Sequence, residues 1–235
     1  PRVRGIGCEL WSDHPDFAKQ TAELGITGIC GSGIIEVLAE LYLAQVINSD
    51  GVVDGTLSSR SGRIVADGRT FAYVLHEGEI RIAITQNDVR AIQLAKAALY
   101  AGVRLLMDKL NVDAVDRIRL AGAFGSHIDV KYAMVLGLIP DCALENVTSA
   151  GNAAGSGAHI ALVDGNAREE IEREIRRIEK VETAVESRFQ EHFVEAMAIP
   201  HKSAPFEELS KVVTLPARAD STPDTPPSGR RRRRR

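Results

Sequence analysis

Apolar and polar positions alternate along this chain with two different periods, and the changes of period mark its elements. From Gly25 the run Gly25-Ile26-Thr27-Gly28-Ile29-Cys30-Gly31-Ser32-Gly33 leads into Ile34-Ile35-Glu36-Val37-Leu38-Ala39-Glu40-Leu41. A short β-branched piece, a glycine cluster and apolar residues at helical spacing predict strand or loop, tight turn, then helix. Ile34, Val37, Leu38 and Leu41 would share one face of that helix, which should fade near Asn48. Residues 51–68 are rich in Gly, Ser and Asp and predict a loop region. Residues 70–75 and 79–84 predict strands, the second alternating with Ile80, Ile82 and Ile84, and His76-Glu77-Gly78 can turn between them as a hairpin.

Thr85 with Asp88 three residues later is a capping-box pattern, and a helical pattern follows it to about Leu110. Val89, Ile92, Leu99, Leu106 and Leu110 recur at roughly helical spacing, while Ala95, Ala97, Ala98 and Gly102 are small enough for another element to come close. Residues 117–121 predict a strand that enters Gly122-Ala123-Phe124-Gly125, and a short helix over 130–136 is stopped by Gly137 with Pro140 beyond it. Residues 149–162, dense in small side chains, predict a loop running into a closely packed helix. Residues 166–180 predict an amphipathic charged helix with Ile171, Ile175 and Ile178 inward, and a last helix carries Phe189, Phe193 and Met197. Strands alternating with helices place the chain in the α/β class. No internal repeat interrupts this order, and residues 221–235, after the accumulation of Pro, Ser and Asp beyond Pro205, predict disorder.

Composition narrows the field. The 235 residues suit one large domain or two small ones, and 44% apolar with 26% charged residues is ordinary globular composition. The net charge of -3 conceals a division, because six of the 29 basic residues form the run at 230–235. The rest of the chain is therefore acidic, which argues against a general polyanion binder. The terminal arginines lack interleaved aromatic residues for base stacking, so a solvated tail is expected rather than a nucleic-acid site. Three scattered cysteines, Cys8, Cys30 and Cys142, form no CxxC pair; they fit a reducing cytoplasm and cannot by themselves supply four ligands to an iron–sulfur cluster. No apolar run is long enough to span a membrane. The chain opens on Pro1 rather than Met, which reads as a piece of something longer.

Candidate chemistry gathers in three glycine clusters, at 28/31/33, 122/125 and 151/155/157, each before or within a predicted helix. Glycine there can let backbone N–H groups approach an anion at a helix N-terminus, or can simply allow tight helix–strand packing. Neither GxxxxGK[S/T] nor GxGxxG occurs, so the ordinary nucleotide folds are unsupported, and no GxSxG or HExxH is present. His127-Ile128-Asp129 reads as a loop histidine beside a helix N-cap aspartate, and Asp54-Gly55-Thr56 as a plain turn.

Taken in order, Gly28-Ile29-Cys30-Gly31-Ser32-Gly33, Thr85-Gln86-Asn87-Asp88-Val89-Arg90 with Gln93-Leu94-Ala95-Lys96-Ala97-Ala98, Leu120-Ala121-Gly122-Ala123-Phe124-Gly125, and Gly151-Asn152-Ala153-Ala154-Gly155-Ser156-Gly157-Ala158 closely resemble one family. It is the reductive activators of corrinoid proteins, the RamA and RACo group, in the actin, sugar-kinase and Hsp70 superfamily. The resemblance runs from about Gly25 to His201. It implies an actin-like ATPase lobe, with a mixed sheet flanked by helices, over residues 25–205. A residual segment of an upstream lobe would occupy 1–24, and a linker with the arginine tail 206–235. It further implies use of ATP with Mg, and transfer of an electron from a [2Fe-2S] domain onto a Co(II) corrinoid protein of a methyltransferase system, giving Co(I). Gly122, Ala123, Phe124 and Gly125 match the adenosine-binding turn, and Gly151, Asn152 and Gly155 the segment crowding the same face. Gly31, Ser32 and Gly33 would face the cleft from a helix N-terminus. Ser126-His127 stands where the family often has Asn-Tyr. The phosphate-binding Asp-x-Gly loops and the cluster domain would lie upstream of Pro1, so the chain alone is expected to bind ATP weakly and not to hydrolyse it. A cytoplasmic location and a homodimer are compatible with this reading. The alternatives are the lobe of another actin-like enzyme, such as a sugar kinase or dehydratase activator, or a dimerisation module without chemistry.

Overall fold

The computed structural model describes residues 2–217 apart from Glu23 and Glu79. The terminal arginines, and most of the stretch expected to be linker and tail, lie outside the described residues. A short helix, α1 (Phe17–Ala22), precedes α2 (Gly31–Leu43), whose first turn is capped by Cys30: its Sγ accepts from the Gly33 N–H at 3.3 Å. Leu38 and Leu41 are buried as the spacing predicts, joined by Ile35, Ala39 and Tyr42, while Ile34 and Val37 are only partly covered. The helix ends at Leu43, earlier than expected, because Gln45 takes a left-handed φ of 58° that cannot continue it.

The region expected to be loop contains a strand. β1 (Ile64–Asp67) pairs antiparallel with β2 (Thr70–His76), which pairs antiparallel with β3 (Ile82–Ile84). The expected hairpin is therefore the second of two. Its last strand is shorter than the alternation suggests, since Ile80 is exposed, while Ile84 is buried in the core and Ile82 packs against it. The Arg63 guanidinium closes the edge by donating to the Val74 and Leu75 carbonyls at 3.0 and 2.8 Å.

α3 (Gln86–Leu110) begins with the expected capping box, Thr85 and Asp88 each bonding the other's backbone N–H. Its buried face is not the expected leucine stripe. Leu99, Leu106 and Leu110 face solvent, and Val89, Gln93, Lys96, Ala97, Tyr100, Ala101 and Leu105 face inward. Polar groups can be buried when every donor finds an acceptor. Gln93 Nε2 donates to the Asp50 and Met197 carbonyls, and Lys96 Nζ to those of Ala198 and Pro200. These bonds tether residues 197–200 to α3. Among the small residues, Ala97 and Ala101 are fully buried, whereas the space at Gly102 is open.

β4 (Ile118–Ala121) leads into α4 (Ala123–His127) and α5 (Val130–Leu136). Asp129 caps α5 by accepting from the Tyr132 N–H, as expected, while His127 is the last residue of α4 rather than a loop residue. Gly137 ends α5 with φ 73°, and a side chain there would run into the Pro200 carbonyl. β5 (Val147–Gly151), which runs into the start of the segment expected to be loop, pairs parallel with β4. Among the described residues the strands thus form an antiparallel sheet of three and a parallel pair, so parallel and antiparallel pairing both occur. α6 (Ala153–Val163), α7 (Gly165–Ile175), α8 (Ser187–Glu195) and α9 (Glu207–Ser210) complete the described order.

The core lies between α2, the three-stranded sheet, α3 and α5, closed by Ala196, Ile199, Phe206 and Leu209. α6 and α7 stand apart from it. Neither buries a residue, so the expected close packing of α6 is absent, and Ile171, Ile175 and Ile178 are exposed instead of inward. The helical period of α7 is real, but α6 is the element it packs on, and that contact leaves its isoleucines uncovered. Among the described residues, no helix is long and apolar enough to cross a membrane.

Candidate functional site

The three glycine clusters, far apart in sequence, meet around α4. That short helix packs on β4 and β5 and reaches the start of α2. Phe124, half exposed in its first turn, lays its ring edge over Gly31, where an added methyl group would sit 3.4 Å from Cε2. The two parallel strands end side by side, with the Gly122 N–H donating to the Gly151 carbonyl at 2.7 Å. Both of these glycines have positive φ, 96° and 59°, and at both a Cβ would project into open space with nothing within 4 Å. A side chain at either position would therefore cost backbone strain and fill the space above the strand ends. The two glycines thus leave an open ledge, free of side chains, at the ends of the parallel strands.

The remaining expected residues divide between ledge and support. Ala123 opens α4 and is exposed. Gly125 has a packing role, because a Cβ there would lie 2.9 Å from Leu120 Cβ. Asn152 caps α6 by accepting from the Gly155 N–H at 2.9 Å, and Gly155 leaves room for that side chain. Gly33 likewise makes room for its own cap, Cys30. Ser32 sits beside that thiol, its Oγ 3.4 Å from Sγ. The Ser32 hydroxyl, and then the Gly33 N–H, hold the Cys30 thiol below its usual pKa, against a smaller opposing effect of burial. The packing reading holds for Gly33, Gly125 and Gly155, which serve packing or capping, while Gly122 and Gly151 border open space.

Three features of this face escape pattern reading. Cys30 as a helix cap is one, although its place just before an apolar-periodic run is the usual signal for a cap. A second is the pair Ser126 and Ser149, whose hydroxyls meet at 3.1 Å while Ser126 also donates to the Gly122 carbonyl. They stitch the first turn of α4 to β5, and no local spacing in the sequence connects them. The third is β5 itself. Asp54-Gly55-Thr56 forms the expected turn: Asp54 Oδ1 accepts from the Thr56 N–H at 2.9 Å and from its hydroxyl at 2.7 Å. Among the described residues, no three of His, Cys, Asp and Glu gather as metal ligands, and the chain's own residues do not fit an iron–sulfur cluster. A groove of about 860 Å³ runs between α3, α8 and residues 201–208, away from the glycine ledge.

By its family match the chain is an actin-like domain of the ASKHA class, in which the parallel strands end in glycine turns that open helices, beside an antiparallel hairpin sheet. Residues 2–210 match the family model described as the C-terminal domain of RACo, the ASKHA domain, and the chain belongs to that family. It is 36% identical over 174 residues to the corrinoid activation enzyme RamQ of Eubacterium limosum, an alignment covering 68% of this chain and 29% of RamQ. It also superposes on the solved structure of a reductive activator for corrinoid, iron-sulfur protein with a TM-score of 0.66 and 34% identity, over 74% of this chain and 28% of that one. The chain thus spans under a third of the length of either relative.

Proposed function

We propose that the chain is the nucleotide-facing C-terminal lobe of an ATP-dependent reductive activator, which returns Co(II) corrinoid proteins of a methyltransferase system to Co(I). The observation that carries this reading is the ledge at Gly122 and Gly151, in a chain whose relatives are a corrinoid activation enzyme and a reductive activator. Gly122, Ala123, Phe124 and Gly125 would hold the adenosine from one side. Gly151, Asn152 and Gly155 would form the adjoining wall, and Gly31, Ser32 and Gly33 would approach from the start of α2. Mg-bound ATP supplies free energy on hydrolysis, which can drive an uphill electron transfer only if the two nucleotide states favour different domain arrangements. The electron would come from a [2Fe-2S] centre elsewhere in the protein, and the Co(II) corrinoid would accept it.

On this reading residues 25–205 are the lobe, 1–24 belong with the preceding one, 206–235 form linker and tail, and the protein works in the cytoplasm. The test is spectroscopic. In the whole activator, Gly122→Val should abolish ATP-dependent formation of Co(I) while leaving chemical reduction of its iron–sulfur centre unchanged. Co(I) formation at the wild-type rate by that variant would overturn the assignment.

A further inference from the structure

The groove of about 860 Å³ between α3, α8 and residues 201–208 belongs to none of the chemistry above, and its lining is unbalanced in charge. Seven carboxylates line it against two guanidinium groups, Arg104 and Arg188. Both arginines are already engaged with Asp108, which also accepts from His192 at 2.6 Å. Three of the lining acids, Asp113, Asp116 and Glu207, are exposed and have no cation within ion-pair distance among the described residues. The lining is not purely acidic: Tyr100, Met107 and Val115 contribute apolar surface that the stems of long cationic side chains can cover.

Two independent facts point to the occupant. Ser203, Ala204, Pro205 and Glu207 also line a neighbouring depression whose other wall includes Leu215 and Pro216. The described chain therefore ends at Ala217 on the margin of the groove. The residues that follow carry seven arginines, Arg218 and the six at 230–235, against Asp220 and Asp224, an excess of positive charge opposite in sign to the groove's excess of carboxylates. The stretch 218–229 between them can span up to about 40 Å when extended, ample for the arginines to reach any part of the groove. A tethered segment also acts at a local concentration on the order of millimolar.

We propose that the arginine run at 230–235 docks within its own chain into the acidic groove between α3, α8 and residues 201–208. Guanidinium groups suit such a surface because their planar forks pair with carboxylates while their stems cover apolar lining. The contact is electrostatic and exposed to solvent, so salt weakens it.

Limited trypsin digestion of the full chain tests this, because trypsin cuts after arginine and docking hides the run. Cleavage within the run 230–235, told apart by fragment mass from cleavage after Arg218, would be followed by mass spectrometry for the wild type and for the combined variant Asp113→Asn, Asp116→Asn, Glu207→Gln. These are exposed side chains outside the ledge, and a matched thermal melt shows that the variant folds. At about 0.01 M salt, where the Debye length is about 30 Å, the wild type should lose its arginines several-fold more slowly than the variant. At about 1 M salt, where that length is about 3 Å, the two should be cut equally fast. Equal rates at low salt would overturn the proposal. So would protection that disappears on dilution, which would place the run on a second copy.

Discussion

Lys96 shows how a single residue can mislead a reader of patterns and still organise a structure. Its ammonium is almost fully buried, and burial pulls its pKa from 10.5 down to about 7. Between these values the unfolded chain binds more protons than the folded one, so the stability this residue contributes rises as pH rises from about 7 to about 10.5. Below about 7 that contribution is lost. Lys96→Met, which does not titrate, should flatten the rise of the urea midpoint across that window, and an unchanged slope would show that Lys96 stays charged. The lysine could not be identified as buried from sequence, because what permits burial is a pair of carbonyls about a hundred residues away. The same holds for Gln93. The expected leucine stripe therefore lay on the wrong face of α3.

At the scale of elements, α3 and α8 are clamped by a cluster around Asp108, which pairs with His192, Arg188 and Arg104. Removing the shared carboxylate takes from His192 its 2.6 Å partner and from the two arginines a common ion-pair partner. Asp108→Ala should cost about 1.5–3 kcal/mol in a urea melt, the range for hydrogen bonds to charged groups. A loss below about 0.5 kcal/mol, typical of surface changes, would show that the cluster does not hold α8. α6 and α7 make the opposite case. Leu162 and Ile175 are exposed, so replacing both with Lys should shift the stability of this chain by no more than about 0.5 kcal/mol per site. A large loss would mean that they are packed after all. The elements legible in sequence were those with strong local signals: the capping box of α3, the Asp129 cap and Gly137 stop of α5, and the β2–β3 hairpin. β1 was hidden by the glycine and serine around it. β5 was hidden because Ser149, Ala150 and Gly151 have little strand preference and are held by pairing with β4.

Across the whole molecule, the order of the glycine clusters carried more than any one of them, since packing and ligand approach use the same residue type. Geometry gave Gly33, Gly125 and Gly155 a supporting role and left Gly122 and Gly151 beside open space. It also exposed surfaces that spacing could not show, among them the acidic groove and the uncovered face of α6 and α7. A parallel pair of strands is normally covered on both faces, whereas β4 and β5 are largely exposed beside the ledge. The most direct test of the account is a calorimetric titration of ATP with Mg into this chain and into its Gly122→Val variant, with phosphate release followed in parallel. The account expects weak, saturable binding to the wild type, at least tenfold weaker binding to the variant, and no turnover by either. Equal affinity in the two proteins, or sustained phosphate release by the chain alone, would contradict it.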